Sequence, residues 1–166
     1  MVKTLADLLL LGDPRLYETC APVERDELPL VAGWVADLHN VMEEIRAKYN
    51  FGRAIAAPQL GIMKRLIYMN VAPPVGRGPV VFINPVLENL SDEQFELWDD
   101  CMSFPHLLVR VKRHKSLTIR YLDEHWQPQT WDLTDDFSEL LQHEYDHLDG
   151  ILCTMRAIDA KSFRWR

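Results

Sequence analysis

Apolar residues along the chain recur with two different periods, and the switch between them predicts the architecture. Val31, Trp34, Val35, Leu38, Val41, Met42 and Ile45 follow helical spacing. They predict an amphipathic helix ending near Asn50, with Asp37, Glu43, Glu44 and Lys48 on its other side. Short apolar runs at 65–70, 80–84 and 94–98, bounded by Pro, Gly and Asn, read as strands. So does 110–115, where basic and apolar residues alternate and the basic ones make a solvated face. Leu117, Ile119 and Tyr121 alternate with Thr118, Arg120 and Leu122, and 129–133 adds another strand. Thr134-Asp135-Asp136 opens a second helix with acids in its first turn, and Gly150 stands just past its end. Residues 1–30 read as irregular, with turns at Asp13-Pro14 and Ala21-Pro22. A helix, a series of strands and a second helix predict an α+β fold with mostly antiparallel sheet.

Composition narrows the class. At 166 residues, 48% apolar and 26% charged, the chain is expected to fold as one domain over 1–166, with a short C-terminal tail from about 160. A net charge of −7 argues against broad nucleic-acid binding. The early apolar run 8–11 is far too short to cross a membrane and resembles no secretory signal. Cys20, Cys101 and Cys153 are odd in number and widely spaced, so a reducing cytoplasm is expected rather than a disulfide scaffold.

The second helix carries the chemistry. His143-Glu144-Tyr145-Asp146-His147 has the form H-E-x-x-H, and residues four apart on a helix share a side, so both imidazoles can reach one metal ion. On a helical wheel Glu144 falls within about 40° of Phe137, among Leu141 and Leu148. A carboxylate driven into an apolar face needs a cation or a polarised water beside it. A third ligand is expected. Cys153 occupies the last position of the extended pattern H-E-x-x-H-x-x-G-x-x-H, with Gly150 in place, although its apolar flanks suit a buried hydrophobe. Cys101 is the other candidate. Asp99 and Asp100 before it would raise its thiol pKa, whereas a neighbouring divalent cation would deprotonate it.

Three segments together resemble peptide deformylase. That family's motifs run G-x-G-x-A-A-x-Q, E-G-C-L-S and Q-H-E-x-D-H-L-x-G. This chain has Gly52-Arg53-Ala54-Ile55-Ala56-Ala57-Pro58-Gln59, Asp99-Asp100-Cys101-Met102-Ser103, and Gln142-His143-Glu144-Tyr145-Asp146-His147-Leu148-Asp149-Gly150. The third match is complete, the first close and the second partial, and the likeness runs over about 13–159. It implies antiparallel sheets packed around a central metal-binding H-E-x-x-H helix. It implies one divalent ion, Fe(II) with Zn or Ni as substitutes, held by Cys101, His143 and His147. It implies a monomer that removes the formyl group from the N-terminal formyl-methionine of nascent, ribosome-associated chains and releases formate. In that reaction Glu144 is the base, while the side-chain amide of Gln59 and the backbone N–H of Met102 receive the charge on the formyl oxygen. Gln142 supports the helix.

The departures from the motifs bear on the substrate. Ala54 replaces a Gly on the edge where the family's substrate peptide lies. Asp100 replaces the Gly before the ligand Cys, a position that a positive φ would strain. Asp99 replaces Glu and is expected to pair with Arg113, and Leu108 stands where some members have a basic residue. Three other readings stay open on the residues alone: a divergent formamide hydrolase acting on another formylated amine, a metalloprotease using Cys153 as third ligand, and a non-catalytic metal- or peptide-binding module.

Overall fold

The computed structural model describes residues 2–166. Helix α1 spans Leu28–Tyr49 and buries Val31, Leu38, Val41, Met42 and Ile45, the stripe that the spacing predicts. Pro29 fits its first turn, where no intrahelical N–H is required. Asn50 ends it in the left-handed conformation, φ 58°, with its N–H on the Arg46 carbonyl. Two acids on the outer side anchor the start of the chain. Asp37 and Glu44 accept the backbone N–H groups of Lys3 and Leu5 and so hold the N-terminal segment against the helix.

Eight strands follow or flank the helices: β1 Ala54–Ala56, β2 Leu66–Val71, β3 Gly78–Glu88, β4 Gln94–Asp99, β5 Leu107–His114, β6 Ser116–Leu122, β7 Pro128–Thr134 and β8 Phe163–Trp165. They form a five-stranded sheet in the order β1-β2-β3-β6-β7 and a three-stranded sheet in the order β4-β5-β8. Every neighbouring pair is antiparallel. Strand β1 pairs with β2 alone, so its outer side faces no strand.

The five-stranded sheet is covered on both faces. Along β2, Leu66 and Tyr68 point into the core under α1. Ile67 and Met69 point into a second core with Leu140, Leu141 and Leu148 of helix α2, Asp135–Leu148. Strict alternation on one strand thus serves two helices. A third core joins Val109 and Val111 of the smaller sheet to Leu16, Phe104, Leu152 and Cys153. Helix α2 lies between the sheets, with Gln142 clasping the His114 backbone of β5 through both its N–H and its carbonyl.

The structure differs from the sequence reading in four places. Strands β1 and β8 have three residues each, too few to show a period. The segment expected as a tail from about 160 carries β8, paired to the edge of β5. Strand β3 runs well past 84, because a register shift between Ile83 and Val86, with Asn84 at φ 48°, hides its continuation. Arg113 is not on the solvated face of β5. It shares the inward side with Val109 and Val111, while Lys112 is exposed.

Candidate metal centre and active site

Helix α2 fixes the first part of the site. Its His143, Glu144 and His147 are all buried, and the two imidazoles meet edge to face with centroids 5.0 Å apart. Strand β4 ends at Asp99, and the turn that follows delivers Cys101 to the same point. The Cys101 Sγ lies 3.4 Å from His147 Nε2. Donor atoms of Cys101, His143 and His147 all lie within 4.8 Å of one another. Two ligands of one tetrahedral ion, a thiolate and an imidazole, stand about 3.5 Å apart. One thiol and two imidazoles at this spacing therefore fit a divalent transition metal.

Burial and charge around these groups support the same reading. Nδ1 of His143 is 3.0 Å from the Asp99 carboxylate, which leaves Nε2 for the cluster. Burial lowers the His143 pKa, but Asp99 and the neighbouring thiols outweigh it and hold the ring well above the ordinary value. His147 has no such partner; burial, with His143 beside it, pushes it well below. Burial also raises the Cys101 thiol. For Asp99, burial is overcome by His143 and Arg113, and its carboxyl is held at about 2. Arg113 is itself buried, 2.9 Å from Asp99 and 2.6 Å from Asp146. Arg156 clamps Asp146 with two bonds of 2.6 and 2.7 Å. The expected pairing of Asp99 with Arg113 is therefore one link in a chain Arg156–Asp146–Arg113–Asp99–His143. Breaking such a buried pair on one side costs about 3–5 kcal/mol.

Glu144 differs from the other acids. Burial raises its carboxyl to about 7, and its Oε2 finds no hydrogen-bond partner among the described residues. An orphaned carboxylate oxygen beside three metal-type donors is placed to meet a ligand rather than the protein. Gln59 lies in the tight turn after β1. Its Oε1 accepts the Ala56 N–H, and this turns Nε2 toward Ser103 Oγ at 3.1 Å and Cys101 Sγ at 3.6 Å. The N–H of Met102 meets no protein acceptor among the described residues. Gly52 sits at φ +128°, a conformation that favours glycine, and a Cβ there would also press on the flexible end of the Met102 side chain, Cε at 2.8 Å.

Cys153 is also close, but on the other side of His143. Its sulfur groups with Asp99 and His143 rather than with His147, and burial raises its thiol to about 12. It does not close a site that uses both imidazoles.

A cavity of about 250 Å³ opens onto this cluster. Cys101, His143 and Glu144 line its floor, and Ala54 of β1 lines a wall. Ala54 is extended and Asp100 has no positive φ, so neither departure from the motif strains the backbone. Asp100 instead pairs with Arg166 just beyond β8. Leu108 lies opposite Arg164 of β8 in the register. A second ion pair, Arg53 to Glu139 at 2.6 Å, also lines the cavity. Sequence reasoning passed over Glu139, although it stands one helical turn before His143 on the same side. Asp146 was visible inside the third motif, but nothing local marked Arg156 as its partner, or Arg166 as the partner of Asp100.

The profile of the polypeptide deformylase family matches residues 5–163. A peptide deformylase of Treponema pallidum (strain Nichols) is 35% identical over 155 residues, covering 93% of this chain and 89% of its own. The actinonin-bound class I type b peptide deformylase of Acinetobacter baumannii superposes with a TM-score of 0.81 at 28% identity, covering 94% of this chain and 99% of its own. The structure of that protein with Met-Ala-Ser bound gives 0.77 at 29% identity, covering 94% and 98%. Fold, cluster and sequence agree, and the chain belongs to the polypeptide deformylase family.

Proposed function

We propose that the chain hydrolyses the formamide of N-formyl-methionyl peptides, releasing formate and the free amine, with Cys101, His143 and His147 as ligands of one divalent ion. The observation that carries this is the convergence of those three buried donors with the unpartnered Glu144 carboxylate on one cavity. An ion held there supplies Lewis acidity that makes water a nucleophile near neutral pH.

The remaining steps fall to the chain's own side chains. Glu144, buried and with a free carboxylate oxygen at the cluster, takes the proton of the attacking water and passes it to the departing amine. Gln59 Nε2 and the Met102 N–H offer fixed donors to the formyl oxygen as its charge grows. Asp99 holds the His143 ring by Nδ1, and Arg113 and Asp146 hold Asp99. Every one of these groups comes from a single chain, which supports action as a monomer. The soft-and-borderline donor set suits Fe(II), with Zn or Ni as substitutes. The Met-Ala-Ser complex of the A. baumannii protein supports a peptide leaving group here too.

Anaerobic purification, metal analysis and a formate assay on formyl-Met-Ala-Ser test the reading together. One equivalent of metal and formate release are expected. Cys101→Ser should lose the metal and Cys153→Ser should keep it; the reverse result would move the site to Cys153.

A further inference from the structure

The wall of the cavity beside the metal centre carries a charged pair where an apolar side chain would ordinarily be welcomed. Arg53 Nη2 meets Glu139 Oε1 at 2.6 Å. The Glu139 side chain is 8% exposed and that of Arg53 42%. Glu139 Oε2 has no hydrogen-bond partner among the described residues, and Leu140 lines the cavity next to it. The floor of the same cavity is Cys101, His143 and Glu144. Arg53 and Glu139 share one cavity with that floor, so the first side chain of a substrate whose formyl carbon lies there is within their reach.

Physical chemistry then sorts the side chains. A long apolar group buries Glu139 Oε2 and the free Arg53 N–H groups without replacing the water they lose. A carboxamide offers both complements at once. Its N–H₂ donates to Glu139, and its oxygen accepts from Arg53, matching the two ends of the pair. We infer that Arg53 and Glu139 are specificity-determining residues that admit N-formyl substrates whose first side chain bears a carboxamide, glutamine above all, alongside methionine. This inference rests on the deformylase reaction proposed above.

The test compares formyl-Gln-Ala-Ser with formyl-norleucine-Ala-Ser, whose side chain has similar length and no polar atom, using kcat/KM of the metal-loaded enzyme and of the double variant Arg53→Leu, Glu139→Leu. An apolar pocket disfavours an unpaired carboxamide by roughly tenfold or more. The wild-type glutamine-to-norleucine ratio is expected above about one-tenth, falling at least fivefold in the double variant. A smaller fall overturns the inference. Should the double variant not fold, the wild-type ratio decides alone: above about one-tenth supports, below it overturns. If no peptide releases formate, the proposed reaction fails. The inference is then decided by calorimetry with the same two peptides and the metal-loaded protein, and tighter binding of the norleucine peptide by tenfold or more would overturn it.

Discussion

Glu144 is the residue on which burial and chemistry press hardest. In the unfolded chain its carboxyl titrates near 4.5, and in the folded metal-free chain near 7. The folded state thus holds the proton more tightly. The group's contribution to stability is complete below pH of about 4.5 and is lost as pH rises through about 7. In metal-stripped protein, Glu144→Gln should flatten this dependence. Urea unfolding should find the variant more stable than wild type at pH 8 by about 3 kcal/mol, with little difference at pH 4. In metal-loaded protein the same substitution should keep the ion and reduce kcat by about 10²- to 10⁴-fold in the formate assay. The sequence disclosed this residue because its neighbours are periodic: Phe137, Leu141 and Leu148 define a face and Glu144 breaks it. It could not disclose Glu139 in the same way. A carboxylate at a helix margin looks solvated until its partner is known, and Arg53 lies just before β1, 86 positions away.

Helix α2 shows how an element inherits precision from both its ends. Gly150 follows it at φ +70°, and a Cβ there would lie 2.5 Å from the Tyr17 carbonyl carbon and oxygen. The Cys20 N–H bonds to the Leu148 carbonyl at 2.9 Å, so the N-terminal segment is strapped across the end of the helix. Gly150→Ala should cost about 2 kcal/mol or more in chemical denaturation, combining left-handed strain with a backbone clash. Leu141 is fully buried between helix and sheet, and Leu141→Ala should cost about 2–5 kcal/mol in the same measurement. Elements of this length announce themselves, because seven or more residues repeat their environment. The three-residue strands β1 and β8 do not, since their pairing is decided by β2 and β5 rather than by their own residues. Arg113 was misplaced for a related reason. Alternation put it on a face, and the likeness to the family paired it with Asp99, but only the tertiary fold revealed the second carboxylate, Asp146, that makes an inward guanidinium tolerable.

At the scale of the molecule, two antiparallel sheets share one helix, and the site stands where they meet. That arrangement was legible as a fold class and, through the H-E-x-x-H helix, as a candidate metal centre. The closing role of the C-terminal residues was not. Arg164 lies over the Trp98 ring, and Arg166 over that of Phe51 while pairing with Asp100. A chain ending at 162 should keep its metal, since Cys101, His143 and His147, the proposed ligands, all remain. It should aggregate more readily in light scattering, because the outer side of β5 is then uncovered. The five-stranded sheet stops on one flank at β1, and Ala54 of that strand borders the cavity. Main-chain groups on the side of β1 that no strand pairs, those of Ala54 above all, are open to an extended polypeptide of any sequence, since such groups are the same in every protein. Tolerance toward whatever sequence trails the first residue is thereby written into the backbone itself, leaving discrimination to the few atoms nearest the scissile bond.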